Sequence, residues 1–179
     1  MVLGTKKLLE LVKKFKLVEN LSERELTNPE GAGFDLRLGK VHRVFGDTFL
    51  GIEERKTVEA KTVMEYNPQK SQVYTIKPDE QILVTTLEKL NLPENITANF
   101  LLRGTLLRSG IIVSGGNSAP GYHGEITFSL FNCGKCPVKI ELGARIVHMQ
   151  FYEIKGEASN YRGQWQGGRV TATEKEKQV

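Results

Sequence analysis

Short runs of apolar and β-branched residues recur along most of this chain, and turn sequences such as those around Pro78 and Pro93 separate them. Strands spaced by about 8 to 12 residues are typical of a β-sandwich or barrel, whereas a βαβ fold has helices between its strands. The pattern therefore predicts an all-β domain. The predicted strands cover residues 33–39, 41–45, 57–64, 73–76, 81–87, 96–101, 111–114, 125–131, 138–141 and 144–154.

The two ends of the chain differ from this pattern. Apolar residues recur at helical spacing in residues 5–16, with lysines on the opposite face, and Thr5 is the expected N-cap of the helix. The C-terminal part is polar, and its last residues are expected to be disordered. We therefore divide the chain into an N-terminal helix and loop (1–30), a β domain (31–155) and a mobile C-terminal arm and tail (156–179).

Composition limits the classes of partner. The 179 residues carry a net charge of +4 and have a pI near 9.0, which suits a small anionic ligand and indicates little about nucleic acid. No apolar run approaches the roughly 20 residues of a membrane span, and the lysine-rich N-terminus does not resemble a secretory signal. We expect a cytoplasmic protein with no membrane and no nucleic-acid partner.

The two cysteines, Cys133 and Cys136, form one C-x-x-C sequence that precedes Pro137. A structural zinc site needs about four ligands, and the three histidines are not spaced to complete one. An unreactive turn is the first interpretation, and a disulfide or redox pair is the second.

The stretch from Arg103 to Leu130 has the residue types of a ligand site. An arginine beside Gly104 and Thr105 suits a phosphate group, because its planar fork donates paired hydrogen bonds and small neighbours leave backbone N–H groups accessible. The glycines that follow allow the backbone to approach a flat ligand such as a base. The alternative is a helical turn and a β-hairpin that bind nothing.

Five segments stand in an informative order: GFDLRLG (33–39), RGTLLR (103–108), PGYHGEIT (120–127), GARIVH (143–148) and NYRGQWQGG (160–168). Together they resemble the motifs of the dUTP diphosphatase (dUTPase) and dCTP deaminase superfamily, and the last resembles the arm of archaeal-type members. The resemblance implies a distorted jelly-roll β-barrel, the dUTPase-like β-clip fold, which forms homotrimers with sites between subunits. It also implies a pyrimidine deoxynucleoside triphosphate, dUTP or dCTP, as ligand.

The resemblance also assigns roles to the second segment. Arg103, Gly104 and Thr105 correspond to the residues that hold the triphosphate. Arg108 corresponds to an arginine near the reacting base in deaminases, so it is a candidate catalytic residue. Gly104 replaces a serine of the motif, which removes one side-chain phosphate donor.

The hairpin and the arm supply the expected contacts to sugar and base. In the superfamily, the tyrosine at the position of Tyr122 packs on deoxyribose, and the hairpin backbone around Gly121 reads the pyrimidine edge. The arm closes over the ligand, with Trp165 stacking on the base, Arg162 facing phosphate and Gln164 beside them. The alternative for Trp165 is ordinary packing that anchors the tail.

Three further positions are candidates through the resemblance. His148 stands where the fourth motif has glutamine, and Gln150 lies two residues on, on the same face of the predicted strand. Both are expected ligand contacts, although His148 is also compatible with a packing role inside the barrel. Asp35 of the first segment is the candidate ligand for the expected Mg²⁺ cofactor.

Two positions depart from the motifs. Ala119 stands where the superfamily has the aspartate that activates water for hydrolysis, and Ser129 stands where deaminases have a glutamate that shuttles protons. Neither side chain serves as a general base, and losing such a base typically lowers the rate by a factor of about 10² to 10⁴. Glu125 and His123 are the candidate replacements, with a solvent-facing charge as the alternative for Glu125.

The motifs thus favour a dUTPase-type reaction, in which water attacks the triphosphate with the help of Mg²⁺ and yields dUMP and diphosphate. The alternative is a homologue that binds dUTP or dCTP with little or no catalysis, because Ala119 and Ser129 are both changed. A dCTP deaminase is the third hypothesis, and a structural barrel without a ligand is the last.

Overall fold

A computed structural model describes residues 1–172 and 174–178 of the chain. Antiparallel strands are the main regular structure of this part, and a helix lies near the N-terminus, so the predicted fold class is confirmed. The described helices are α1 (Thr5–Phe15), α2 (Glu23–Thr27) and α3 (Gly104–Arg108). The described strands are β1 (Val18–Glu19), β2 (Phe34–Phe45), β3 (Phe49–Leu50), β4 (Glu54–Lys56), β5 (Glu59–Glu65), β6 (Val73–Ile76), β7 (Gln81–Asn91), β8 (Ile96–Leu102), β9 (Ile111–Ser114), β10 (Asn117–Ser118), β11 (His123–Asn132), β12 (Val138–Glu141), β13 (Arg145–Glu153) and β14 (Glu176–Lys177).

The main sheet has the strand order β10-β8-β13-β2-β7-β11-β9, with β1 added to β7 and β5 added to β2. Strand β2 is the element that curls the sheet. Its first part, residues 34–37, pairs with β13, and its second part, residues 38–45, pairs with β7 and β5. Because one strand belongs to both halves, the sheet folds over a single apolar core, as expected for a distorted jelly-roll barrel.

Gly39 marks the bend in β2. The sequence pattern predicted that one strand, 33–39, ends at this glycine and that a second strand covers 41–45. The structure has one continuous strand with a register shift between Leu38 and Lys40. A Cβ at Gly39 would lie 2.9 Å from the carbonyl oxygen of Thr86 on β7. The glycine is therefore required for close approach of two backbones at a bulge, and it does not end the strand.

The side chains of β11 alternate between a buried face and a half-buried face. Ile126, Phe128 and Leu130 are buried, whereas Thr127 and Ser129 are half-buried on the other face. This alternation follows from the two-residue period of a strand. Phe128 packs across the core against the ring of Phe100 on β8, at 4.7 Å between ring centroids. The core thus fixes β11, and β11 presents Thr127 and Ser129 away from the core.

The ends of the chain depart from the sequence-based prediction. The N-cap of α1 is Gly4, without a side-chain hydrogen bond, so the prediction of Thr5 as N-cap was wrong: Thr5 is already helical. Helix α1 contributes the buried Leu8 to the core. The tail expected to be disordered contains β14, which pairs with β4 in a small sheet of β14, β4 and β3.

Two further observations complete the architecture. Helix α2 lies in a stretch that the composition predicted to be loop, because five residues give no helical periodicity to detect. None of the helices in the described part of the chain is long and apolar enough to cross a membrane. The division into residues 1–30, 31–155 and 156–179 stays a prediction.

Candidate active site

A cavity of about 390 Å³ lies between β11 and the C-terminal arm. Its walls come from residues 114–119, from residues 126–129 of β11, and from the arm, with Thr57 and Val58 at one side. The volume is within the range of about 300–1,000 Å³ that is usual for small-molecule sites. The residues of the arm and hairpin that line it are Ala119, Tyr122, Tyr161, Trp165, Arg169, Val170 and Thr171.

The arm reaches this cavity because it bonds to the hairpin turn. The Gln166 side chain donates from Nε2 to the carbonyl of Gly121 at 2.8 Å, and its Oε1 accepts the N–H of His123 at 3.1 Å. The N–H of Gly167 donates to the carbonyl of His123 at 2.8 Å. The arm therefore lies over the cavity of its own chain, with Trp165 in the wall.

The hairpin turn requires glycine at position 124. Its φ is +131°, and a Cβ built there would overlap the backbone nitrogen of Gly168 in the arm. Only glycine combines this backbone conformation with the close approach of a second chain segment. The G-Y-H-G-E turn of the third segment therefore packs directly against the glycine pair of the fifth segment, Gly167 and Gly168.

Tyr122 is a fixed, neutral wall of the cavity. Its ring meets that of Tyr161 edge to face at 5.5 Å between centroids, and its hydroxyl donates to the carbonyl of Glu125 at 2.6 Å. Burial, followed by the nearby Tyr161 and Glu125, raises the pKa of Tyr122 to about 12. The phenol therefore stays protonated at physiological pH and offers the cavity an aromatic surface.

Ala119 and Ser129, the two positions that depart from the motifs, both line the cavity. The Oγ of Ser129 accepts a hydrogen bond of 3.0 Å from Nε2 of Gln81. Among the lining residues that the structure describes, Arg169 alone is charged, and there is no carboxylate and no imidazole. Within one chain, the cavity can therefore bind and orient a base, but no group in its wall has the proton affinity of a carboxylate.

None of the three predicted catalytic residues lines this cavity: Arg108, Glu125 and His123 lie elsewhere. Arg108 lies on the exposed side of α3 and donates to the carbonyl of Gly104 at 3.2 Å. Glu125 forms an ion pair of 3.6 Å with Lys40. The side chain of His123 is exposed, and its backbone serves the arm. A catalytic role for these three residues stays a prediction that concerns an assembled oligomer.

A second group of functional residues surrounds the carboxylate of Asp35, which is 3% exposed. Arg103 donates to its Oδ2, Arg145 donates to the same oxygen at 2.8 Å, and Nδ1 of His148 lies 2.9 Å from Oδ1. Arg24 forms a longer ion pair of 3.7 Å with it. The first, second and fourth segments, which are far apart in sequence, therefore meet at one buried carboxylate.

This arrangement suits an anion better than a cation. The side chains of Arg103 and Arg145 are each 34% exposed, so each guanidinium keeps one side open while Asp35 fixes the other. Asp35 does not fit its expected role as a Mg²⁺ ligand, because its oxygens already accept from these cationic groups. No cluster of metal-ligating side chains occurs in the described residues. The Mg²⁺ requirement stays a prediction, and it concerns the phosphates of the ligand.

The remaining predicted residues have the following positions. Gln150 on β13 accepts a hydrogen bond of 2.9 Å from the hydroxyl of Tyr152. Arg162 is exposed on the arm, and the buried Oε1 of Gln164 has no partner among the described residues. Thr105 lies on α3 beside Arg108, in a shallow depression next to the free thiol of Cys136. None of these lines the cavity under the arm.

One chain thus carries two groups of site residues that share no member. The cavity has the aromatic residues of the third and fifth segments. In the cluster, Asp35 of the first segment meets Arg103 of the second and Arg145 and His148 of the fourth. The sequence did not single out Arg24, Arg145 or Arg169. Arg145 had a detectable signal, since it lies in the GARIVH segment, but Arg24 lies outside every motif and only the fold brings it to Asp35.

Comparison with known proteins decides the family. Residues 2–154 match the model of the dCTP deaminase-like family. The chain belongs to this family. The resemblance to the superfamily is thereby confirmed, and the first four segments lie within the matched residues.

Individual relatives agree with this family assignment over nearly the whole chain. A dCTP deaminase of Pyrococcus furiosus is 33% identical over 169 residues, which is 94% of this chain and 96% of the relative. A dUMP-forming dCTP deaminase of Persephonella marina is 30% identical over 178 residues, or 96% and 94% of the two chains. The deaminase branch, third among the sequence-based hypotheses, therefore receives the most support.

The fold of this chain is also similar to that of a protein of known structure. The crystal structure of the dCTP deaminase from Agrobacterium tumefaciens superposes with a TM-score of 0.64 at 16% identity. The match covers 84% of this chain and 48% of that chain, so the present protein spans about half of its length. At this identity the likeness supports the barrel fold alone.

Proposed function

We propose that this protein binds dCTP, with the cytosine in the cavity under the arm, and that deamination of dCTP is its reaction. The observation that carries the proposal is the cavity itself, in which Trp165 of the arm and Tyr122 of the hairpin enclose a space of suitable volume. Aromatic walls recognise a base through stacking. The relatives named above, which are dCTP deaminases, favour cytosine over uracil.

The triphosphate requires cationic donors, and the described wall of the cavity offers only Arg169. The Asp35 cluster has the arginine pair that suits phosphate, Arg103 and Arg145. We therefore also propose a homotrimer in which the cluster of one subunit faces the cavity of another. Mg²⁺ would then accompany the triphosphate as a counterion, and no residue of the described cavity wall needs to hold it.

Deamination needs proton transfers that Ser129 cannot provide. Water must lose a proton as it attacks C4 of cytosine, and the amino group must gain one before ammonia leaves. Because a neutral hydroxyl replaces the glutamate of the motif, we expect turnover to be slower than with a carboxylate by about 10² to 10⁴, the usual contribution of a general base.

A second candidate is binding without turnover. The specific observation in its favour is that the described lining residues contain no carboxylate and no imidazole. Hydrolysis of dUTP, which the motifs favoured, has the same difficulty because Ala119 replaces the aspartate that would activate water. These candidates share one ligand site and differ in the product that is released: ammonia, diphosphate or none.

One experiment separates the candidates. Purified protein is incubated with dCTP and, separately, with dUTP, with and without Mg²⁺, and ammonia and nucleotides are quantified. Ammonia release from dCTP supports deamination, and dUMP from dUTP supports hydrolysis. Unchanged nucleotides together with a saturable fluorescence change of Trp165, the only tryptophan, support binding alone. The absence of product and of any fluorescence change with both nucleotides would refute the proposal.

A further inference from the structure

A line of hydrogen-bonded side chains crosses the sheet behind the cavity. Nδ1 of His42 lies 3.0 Å from Oγ1 of Thr62, and Nε2 of His42 lies 2.9 Å from Oγ1 of Thr85. Oγ1 of Thr85 lies 3.0 Å from Oγ1 of Thr127. Thr62 is exposed to solvent, and Thr127 lines the cavity. The line therefore connects solvent with the cavity through an imidazole that is 3% exposed.

The register of three strand pairs produces this line. His42 on β2 is opposite Thr62 on β5, and Thr85 on β7 is opposite Thr127 on β11. Strand β7 joins the two pairs because it lies between β2 and β11 in the sheet. Directly opposed side chains on one face of a sheet lie close enough for hydrogen bonds, and long side chains also reach diagonal neighbours. His42 contacts Thr85 diagonally, because His42 is opposite Leu83 and Thr85 is opposite Lys40. The polar line is thus built into the pairing of four adjacent strands.

The hydrogen bonds can all run in one direction. If Nδ1 of His42 carries the proton, it donates to Thr62, and Nε2 accepts from Thr85. Thr85 then accepts from Thr127, whose oxygen keeps lone pairs for a donor in the cavity. A water molecule beside the base would complete the line. This direction is the one that carries a proton from the cavity towards the imidazole.

The electrostatic surroundings keep His42 neutral, so its unprotonated ring nitrogen has a free lone pair. Burial, followed by the charge of Lys40 on the same strand, lowers the pKa of His42, and Glu65 on β5 partly opposes this. Glu125 on β11 pairs with the same Lys40 at 3.6 Å. At neutral pH, Nε2 therefore has a free lone pair for Thr85 to donate to.

We propose that His42, Thr85 and Thr127 form a proton relay that serves the cavity in place of the carboxylate absent at Ser129. This inference rests on the proposed deamination. As the oxygen of water bonds to C4, its proton passes to Thr127, the proton of Thr127 passes to Thr85, and that of Thr85 passes to Nε2 of His42. The reverse transfer delivers a proton to the amino group, the C4–N bond breaks, and ammonia leaves. Water and dCTP thus give dUTP and ammonia, and no oxidant or reductant is needed.

The test compares variants that break the relay with variants that keep it. His42→Gln and Thr127→Val remove a proton carrier, whereas Thr127→Ser keeps the hydroxyl and Thr75→Val alters a threonine on β6 outside the relay. We expect ammonia release from dCTP to fall at least about 100-fold in the first two, to stay within about tenfold in Thr127→Ser, and to be unchanged in Thr75→Val. Fluorescence titration of Trp165 should give the same dCTP affinity throughout.

The pH profile distinguishes a relay from a merely structural histidine. In the wild type, the rate should fall on the acidic side as His42 gains a proton, and the profile of His42→Gln should lack this acidic limb. Thermal unfolding identifies any variant that has lost its fold, and Thr127→Ser then carries the comparison. Wild-type rates in His42→Gln and Thr127→Val would overturn the relay.

A separate measurement covers the case in which the wild type binds dCTP but releases no ammonia, which would refute deamination. The relay then predicts that dCTP shifts the imidazole ¹⁵N resonances of His42 in the wild type and in Thr127→Ser, but not in Thr127→Val. If the imidazole ¹⁵N resonances of His42 in the wild type do not shift when dCTP binds, the relay is overturned independently of the proposed reaction.

Discussion

Removing the side chain of Gln166 should release the arm from the hairpin. Gln166→Ala deletes two hydrogen bonds, the 2.8 Å bond to the carbonyl of Gly121 and the 3.1 Å bond from the N–H of His123. Each such bond contributes about 0.5–1.5 kcal/mol net, so the docked arm should lose about 1–3 kcal/mol. With tenfold per 1.4 kcal/mol, the ratio of docked to open arm should fall roughly 5- to 150-fold.

Limited proteolysis and the fluorescence of Trp165 measure this change directly. Cleavage in the arm should accelerate, and the tryptophan emission should move towards that of an exposed indole. Gln166→Glu is the complementary variant, because it keeps an oxygen that accepts from His123 but turns a second oxygen towards the carbonyl of Gly121, which repels it. It should therefore destabilise the docked arm by at least the contribution of the Gly121 bond, about 0.5–1.5 kcal/mol. Equal protection of the arm in the wild type and in Gln166→Ala would refute the view that the Gln166 side chain holds the arm on the hairpin.

Three further predictions concern the base, the phosphate and the buried histidine. Ser129→Glu should raise ammonia release from dCTP by about 10² or more, and Ser129→Gln should not, as measured under identical conditions. Arg145→Gln should weaken dCTP binding by about 10- to 150-fold through loss of a charge-assisted bond, while calorimetry shows unchanged affinity for deoxycytidine. The pKa of His42 is lowered in the folded protein, so below about pH 6.5 the unfolded chain binds more protons than the folded chain does. The free energy of unfolding should therefore decrease as the pH is lowered through this range. The difference between the denaturant midpoints at about pH 7.5 and pH 5.5 should be smaller in His42→Gln than in the wild type. An equal difference in the two proteins would contradict the lowered pKa.

The fold was predictable because its signals are local or ordered along the chain. Alternating strands and regular turns indicated β structure, and the five segments indicated the barrel of the superfamily. Gly39 shows where the pattern was insufficient. A glycine inside a strand and a glycine that ends one look the same in sequence, and only the approach of Thr86 on the paired strand distinguishes them.

The site was predictable only in part, for a physical reason. Motif positions located Tyr122, Trp165 and Arg103, but not their division into an aromatic cavity and a cationic cluster on the same chain. The line from His42 to Thr127 depends on the register of β2, β7 and β11, and no spacing in the sequence encodes that register. Contacts between side chains on different strands are therefore the part of a site that a single sequence does not predict.

The central claim is that the cavity beside Trp165 takes a pyrimidine deoxynucleotide. The most direct test is a calorimetric titration of purified protein with dCTP, repeated with Trp165→Phe and with deoxyguanosine triphosphate as the purine control. Our account predicts saturable binding of dCTP, weaker binding to Trp165→Phe and little binding of the purine. No binding of dCTP, or equal binding of both nucleotides to both proteins, would contradict it.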